Sequence, residues 1–162
     1  LGKITKTIKK EYEYGKILEH IPGFIRFICL YECYDDSSDR LPRRICVGEK
    51  IDVNKKTVLL MPYYKLGSIR TYHWKLTEVS ILKSLLKQLV TSCLFAYKKY
   101  GFLHSDLHLD NVLFRVTKDK VAVYSIDVIL ETLGYQIVIM DFEMSFMGIE
   151  NSVENRKFFW DD

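Results

Sequence analysis

Between Gly101 and Phe114 the chain reads GFLHSDLHLDNVLF, so that His104, Asp106, His108, Asp110 and Asn111 crowd between two short apolar runs, Phe102-Leu103 and Val112-Leu113-Phe114. Runs that short are predicted as buried strands, which leaves the polar residues on a loop at the strand ends. A second stretch, Ile137-Val138-Ile139-Met140-Asp141, ends another such strand on a carboxylate. Unpaired carboxylates resist burial. Two strand-end carboxylates and an amide therefore form a metal-phosphate site more readily than a core.

The rest of the chain has to carry that loop. Lys3 to His20 has Ile4, Ile8, Tyr12, Ile17 and Leu18 on a helical face, ended by Pro22-Gly23. Phe24 to Tyr34 is aromatic and β-branched, a predicted strand, and the polar stretch Asp35 to Arg44 is a turn. Ile45 to Val53 and Thr57 to Met61 read as two more strands around a turn at Asn54-Lys55-Lys56. Pro62 to Ser68 is a short connector. From Thr77, as N-cap, to a stop at Tyr100-Gly101 runs the clearest helix. Its stripe of Ile81, Leu82, Leu85, Leu86, Leu89, Val90, Cys93, Leu94 and Tyr97 is expected to be buried.

Composition narrows the class. The 162 residues suit one domain, and 48% apolar with 14% aromatic residues is ample for a core. A formal net charge of +3 gives no basis for binding nucleic acid or a membrane surface. Cys29, Cys33, Cys46 and Cys93 form no CxxC pair, so reduced thiols are expected in place of zinc or disulfides. No apolar run approaches the ~18 residues of a membrane helix, and no signal peptide is read. The expected location is a cytoplasm.

The segment from His104 to Asn111 resembles the protein-kinase catalytic loop, H-R-D-L-x-x-x-N, and Asp141-Phe142-Glu143 resembles its D-F-G. Met61 to Ile69, MPYYKLGSI, is similar to the hinge of that superfamily. The nearest flavour is the kinase-like proteins of large DNA viruses, in keeping with a Lys-, Ile- and Tyr-rich chain; a viral source would place it in host cytoplasm or virion. The resemblance implies an α+β, two-lobed kinase-like fold, here truncated at both ends. Residues 1–61 would be part of the smaller lobe, 62–68 the hinge, and 69–162 part of the larger lobe.

It also implies ATP and Mg²⁺ as cofactors, with protein Ser/Thr the expected acceptor. Asp106 would take the acceptor proton, Asn111 and Asp141 would ligate metal, and His108 would contact phosphate where a lysine is usual. Glu13, with Glu11 as competitor, would be the glutamate that pairs the ATP-binding lysine. Met61 would be the gatekeeper, Pro62 and Tyr64 would offer backbone groups to adenine, and Leu113 would form the adenine floor. His104 would be a packed structural histidine beside Phe142. Ser105 replaces the usual arginine.

Several features depart from the family. These residues hold no Gly-rich phosphate loop, and Lys3 and Lys6 lie too near Glu13 to serve as the strand lysine. Glu143 replaces the glycine of D-F-G. The long interval from Asn111 to Asp141 implies an extended hairpin between Arg115 and Tyr135, with Val121 to Tyr124 as one strand and Gly134 near a turn. The chain alone is accordingly expected to be a poor enzyme. Three rivals stand beside this reading. Ser105 to Asp110 also resembles the opening motif of calcineurin-like metallophosphoesterases, but no G-D-x-x-D or G-N-H motif follows. A small-molecule kinase and a catalytically dead binding module of the same fold are the others.

Overall fold

The computed structural model describes residues 2–34 and 55–148, an α+β arrangement of two long helices and eight short strands. Helix α1 (Gly2–Leu18) precedes a hairpin of β1 (Cys29–Tyr34) and β2 (Lys55–Leu60). Helix α2 (Val79–Tyr100) leads into β3 (Phe102–Leu103) and β4 (Val112–Val116). An outer hairpin of β5 (Val121–Ser125) and β6 (Val128–Glu131) follows, then β7 (Tyr135–Ile139) and β8 (Phe146–Met147). The strand expected at 45–53 and the turn before it lie outside the described residues.

The antiparallel β4–β7 pair is the centre, joining Val112 to Ile139 and Val116 to Tyr135. Chain segments flank both of its edges. Beside β7, the Ile139 N–H donates to Gly23 O at 2.7 Å and the Ile25 N–H to Ile139 O at 3.0 Å. Beside β4, the Ile69 N–H donates to Val112 O at 2.9 Å. The strand expected from Phe24 to Tyr34 therefore begins only at Cys29. Its first residues are spent covering the β7 edge, with Phe24, Ile25 and Phe27 buried in the core. The connector at 62–68 is irregular as expected, and its end is tied to β4 by the Ser68–Leu113 bridge.

Gly15 explains how α1 comes so close. A Cβ there would lie 2.2 Å from the Phe27 ring, so the helix accepts a poor helix former in exchange for that approach. The hairpin expected between Arg115 and Tyr135 is present, with Leu133 (φ 51°) and Gly134 (φ 83°) turning the chain back into β7.

Helix α2 stops at Gly101, as expected. Its left-handed φ of 60° lets its N–H close onto Tyr97 O at 2.8 Å. Its start differs from expectation. Thr77 lies inside a 3₁₀ turn, Leu76–Glu78, and the Glu78 carboxylate accepts the Lys75 N–H at 2.9 Å.

The face it buries differs more. Ser84, Leu85, Gln88, Ser92 and Ala96 point inward, whereas Leu86, Val90, Leu94 and Tyr97 are 41–67% exposed. The reason is hydrogen bonding: backbone groups of the neighbouring strands end against α2 and need polar partners there. Gln88 Nε2 donates to Tyr135 O at 3.0 Å and its Oε1 accepts the Ile137 N–H at 3.3 Å. Ser84 Oγ donates to Glu131 O at 2.6 Å.

The stretch Leu76–Tyr100 is also, by length and composition alone, apolar enough to cross a membrane, contrary to the sequence expectation. Counting uninterrupted apolar runs missed it, because Lys83 and Lys87 break the run without breaking the helix. Here the helix lies against this domain's own strands.

Candidate functional site

The polar loop is held by bonds between the two strand ends. The Met140 N–H donates to Asn111 O at 3.1 Å, extending the β4–β7 ladder into the turn. Asn111 is buried; its Nδ2 donates to Asp106 O at 3.0 Å and its backbone N–H to His108 O at 3.0 Å. The buried His104 donates from Nε2 to Met140 O at 2.9 Å, which fixes the tautomer, since a carbonyl can only accept. Ser145 Oγ closes the set by donating to His104 O at 3.0 Å. Asp106, Asn111 and Asp141 are thereby brought to the same end of the β4–β7 pair.

Phe142 anchors this end from below. It is fully buried, and the rings of Phe24, Phe27, Phe102 and His104 stand 5.8–6.2 Å from it. This matches a packed histidine at 104. Burial pushes the His104 pKa below its ordinary 6.5, so the ring is held neutral, although bonding to Met140 O opposes the shift. Its Nδ1 is buried without a partner among the described residues.

Backbone strain marks the same two segments. Ser105 (φ 61°) and Asp141 (φ 67°) adopt the left-handed region, which costs a non-glycine residue about 1 kcal/mol or more and collects at functional sites. Glu143 has no such φ, so its standing where a glycine was expected imposes no strain.

The carboxylates differ in their surroundings. Asp106 is exposed, and its Oδ2 lies 3.8 Å from His108 Nε2. His108 Nδ1 is 3.7 Å from Asp110 Oδ2, so the ring sits between two carboxylates, beyond hydrogen-bond length of either. Asp110 is itself held by Arg70, whose guanidinium donates to Oδ2 at 3.0 Å. Arg70 was not foreseen: it lies forty positions away and belongs to no motif.

Of the two glutamates weighed on α1, Glu11 is the one at this end, and Glu13 is exposed. Burial first, then the negative charge of Asp141, pushes the Glu11 pKa above the ordinary carboxylate value, while a bond to the Phe142 backbone pulls it back. Lys10 Nζ donates to Glu143 O at 3.3 Å on the same side. The helical stagger of 11 against 13 decides this: two positions on a helix turn a side chain by about 200°, to the opposite face.

Met61 and Leu113 are half-buried against the core. Pro62 and Tyr64 line a pocket of about 170 Å³ with Arg26, Arg115 and Gln136, apart from the Asp106 cluster. Among the described residues, no group of three or more His, Cys, Asp or Glu side chains is arranged to hold a metal ion.

The class these observations define is an α+β domain with a strained, carboxylate-bearing turn at one end of its central strand pair. No protein-family model matches the chain. It is similar to the uncharacterized protein 098R of Invertebrate iridescent virus 6, with 37% identity over 79 residues. That match covers 44% of this chain and 13% of the viral protein's length.

Proposed function

We propose that this chain is part of a kinase-like phosphotransferase that moves the γ-phosphate of ATP to a hydroxyl, with protein Ser/Thr as the acceptor. The finer architecture belongs to the same proposal: residues 1–61 from a smaller lobe, 62–68 a hinge, and 69–162 from a larger lobe. The observation that carries it is the joining of the 104–111 loop to the 140–142 turn by the Met140–Asn111 and His104–Met140 bonds. That joining sets Asp106, Asn111 and Asp141 at one end of the β4–β7 pair. The similarity to an iridovirus protein supports a viral source and nothing about activity.

The chemistry asks the protein for position and charge, little else. The acceptor oxygen forms a bond to phosphorus, the bond from phosphorus to the β,γ-bridging oxygen breaks, and the acceptor proton passes to the exposed Asp106 carboxylate. Mg²⁺, held by Asn111 Oδ1 and the Asp141 carboxylate, would neutralise charge on the phosphates. A two-ligand protein site suits this ion, because Mg²⁺ completes its shell with phosphate oxygens and water. His108, between Asp106 and Asp110, would donate a hydrogen bond to phosphate. Glu11, through Phe142, positions the turn that carries Asp141. Met61, Leu113 and the Pro62 and Tyr64 backbone would frame adenine.

The test is phosphate transfer from γ-labelled ATP by the longest natural reading frame containing this chain. Asp106→Ala should lower transfer by about 10³-fold with ATP binding kept. Asp141→Ala should remove Mg²⁺-dependent ATP binding. A wild-type protein without transfer, or an Asp106→Ala protein that transfers normally, would refute the assignment. Retained partner binding by an inactive wild-type protein would point to a non-catalytic module.

A further inference from the structure

At the other end of α2 lies a groove of about 420 Å³ between the helix and the outer β5–β6 hairpin. Ser84 in this groove and Tyr100 near the Asp106 loop are sixteen positions apart on α2, roughly 24 Å at about 1.5 Å per residue. One wall carries Lys83 and Lys87, a helical turn apart on α2; the other carries Ile129 and Leu133, 54% and 46% exposed. Both lysines are exposed, and neither makes an ion pair among the described residues. Glu131 also lines the groove, leaving the cations in excess by two to one. The groove is firmly built, because Ser84 Oγ ties α2 to Glu131 O at 2.6 Å, and Tyr124 OH of β5 donates to Gln88 O at 3.2 Å.

We propose that this groove docks an extended acidic segment of a partner protein, one whose carboxylates alternate with aliphatic side chains. The aliphatic groups would cover Ile129 and Leu133, and the carboxylates would meet Lys83 and Lys87. An exposed aliphatic wall facing two unpaired cations is complementary to that chemistry and to neither a purely apolar nor a basic segment. The hairpin wall arises from residues between β4 and β7 that the proposed phosphotransfer does not use, so the inference does not rest on that reading.

The experiment is fluorescence polarisation of the chain with a labelled twelve-residue peptide of alternating leucine and glutamate. Polyglutamate and an alternating leucine-lysine peptide serve as comparisons. Saturable binding is expected, weakening with salt, and at least about tenfold tighter than polyglutamate. The double variant Lys83→Glu/Lys87→Glu and the single variant Ile129→Asp should each weaken it by about tenfold or more. All three positions are exposed, and an unchanged circular dichroism spectrum verifies folding. Absence of saturable binding, equal binding of the leucine-lysine peptide, or undiminished affinity in the charge-reversed variant overturns the proposal. So does binding to phosphatidylserine vesicles in place of the peptide, which would make the groove a membrane contact.

Discussion

Polar side chains gather in two regions of this domain, and they use their hydrogen bonds differently. Under α2, the buried Ser84, Gln88 and Ser92 turn inward to backbone partners. Ser92 Oγ alone lies 2.6 Å from Pro22 O, 2.7 Å from Gln88 O and 3.0 Å from Tyr124 OH. At the end of the β4–β7 pair, Asp106 and His108 are exposed and stand 3.8 Å apart, too far for a hydrogen bond. The first region consumes its polarity to hold the strands; in the second, Asn111 and Asp110 are bonded within the chain while the Asp106 and His108 side chains face solvent. What separates them is that strand backbone groups take up the neutral polar side chains beside α2, whereas among the described residues the Asp106 carboxylate has no such partner.

The sharpest way to break this contrast is at Gln88. Gln88→Leu leaves the Ile137 N–H and Tyr135 O without their side-chain partner in a fully buried site, so unfolding free energy should fall by about 2–4 kcal/mol. A urea denaturation midpoint unchanged from wild type would show that the network contributes little.

A smaller effect is expected at His104, which borders the second region but is buried like the first. Its folded pKa lies below the unfolded value near 6.5, so the unfolded chain takes up a proton first as pH falls. The stability contributed by the neutral ring is therefore complete above that pH and declines below it. The denaturation midpoint should drop between pH 7.5 and 5, and His104→Gln should flatten the slope. A steeper slope in the variant would reverse the assignment.

The smallest stability effect belongs to Asp106. Exposed, with no side-chain hydrogen bond to another of the described residues, it should tolerate Asp106→Asn with a change within about 0.5 kcal/mol. A loss several times larger would mean that Asp106 is structural, and the two regions would no longer differ in kind.

Much of the architecture was legible in advance. The two long helices and the strand ends around the polar loop follow from local pattern: periodicity, glycine stops and apolar runs. The extended hairpin from Arg115 to Tyr135 and the packing of His104 on Phe142 were expected only from the resemblance to the kinase loop and D-F-G segments. The choice between Glu11 and Glu13 was not legible, because both lie on one amphipathic helix and only the approach of Asp141 distinguishes them. Arg70 on Asp110 was invisible for the same reason, a contact made across distant segments.

By itself, then, the sequence determined that two long helices and a set of short strands form and that α2 stops at Gly101, and it put a set of carboxylates and an amide at strand ends. Those outcomes depend on neighbours within a few residues. Only the tertiary structure decided which face of α2 is buried. An apolar stripe of Leu86, Val90, Leu94 and Tyr97 lost that position to Ser84, Gln88 and Ser92. Leaving strand carbonyls and amides unpaired in the interior costs more than leaving four apolar side chains partly in water.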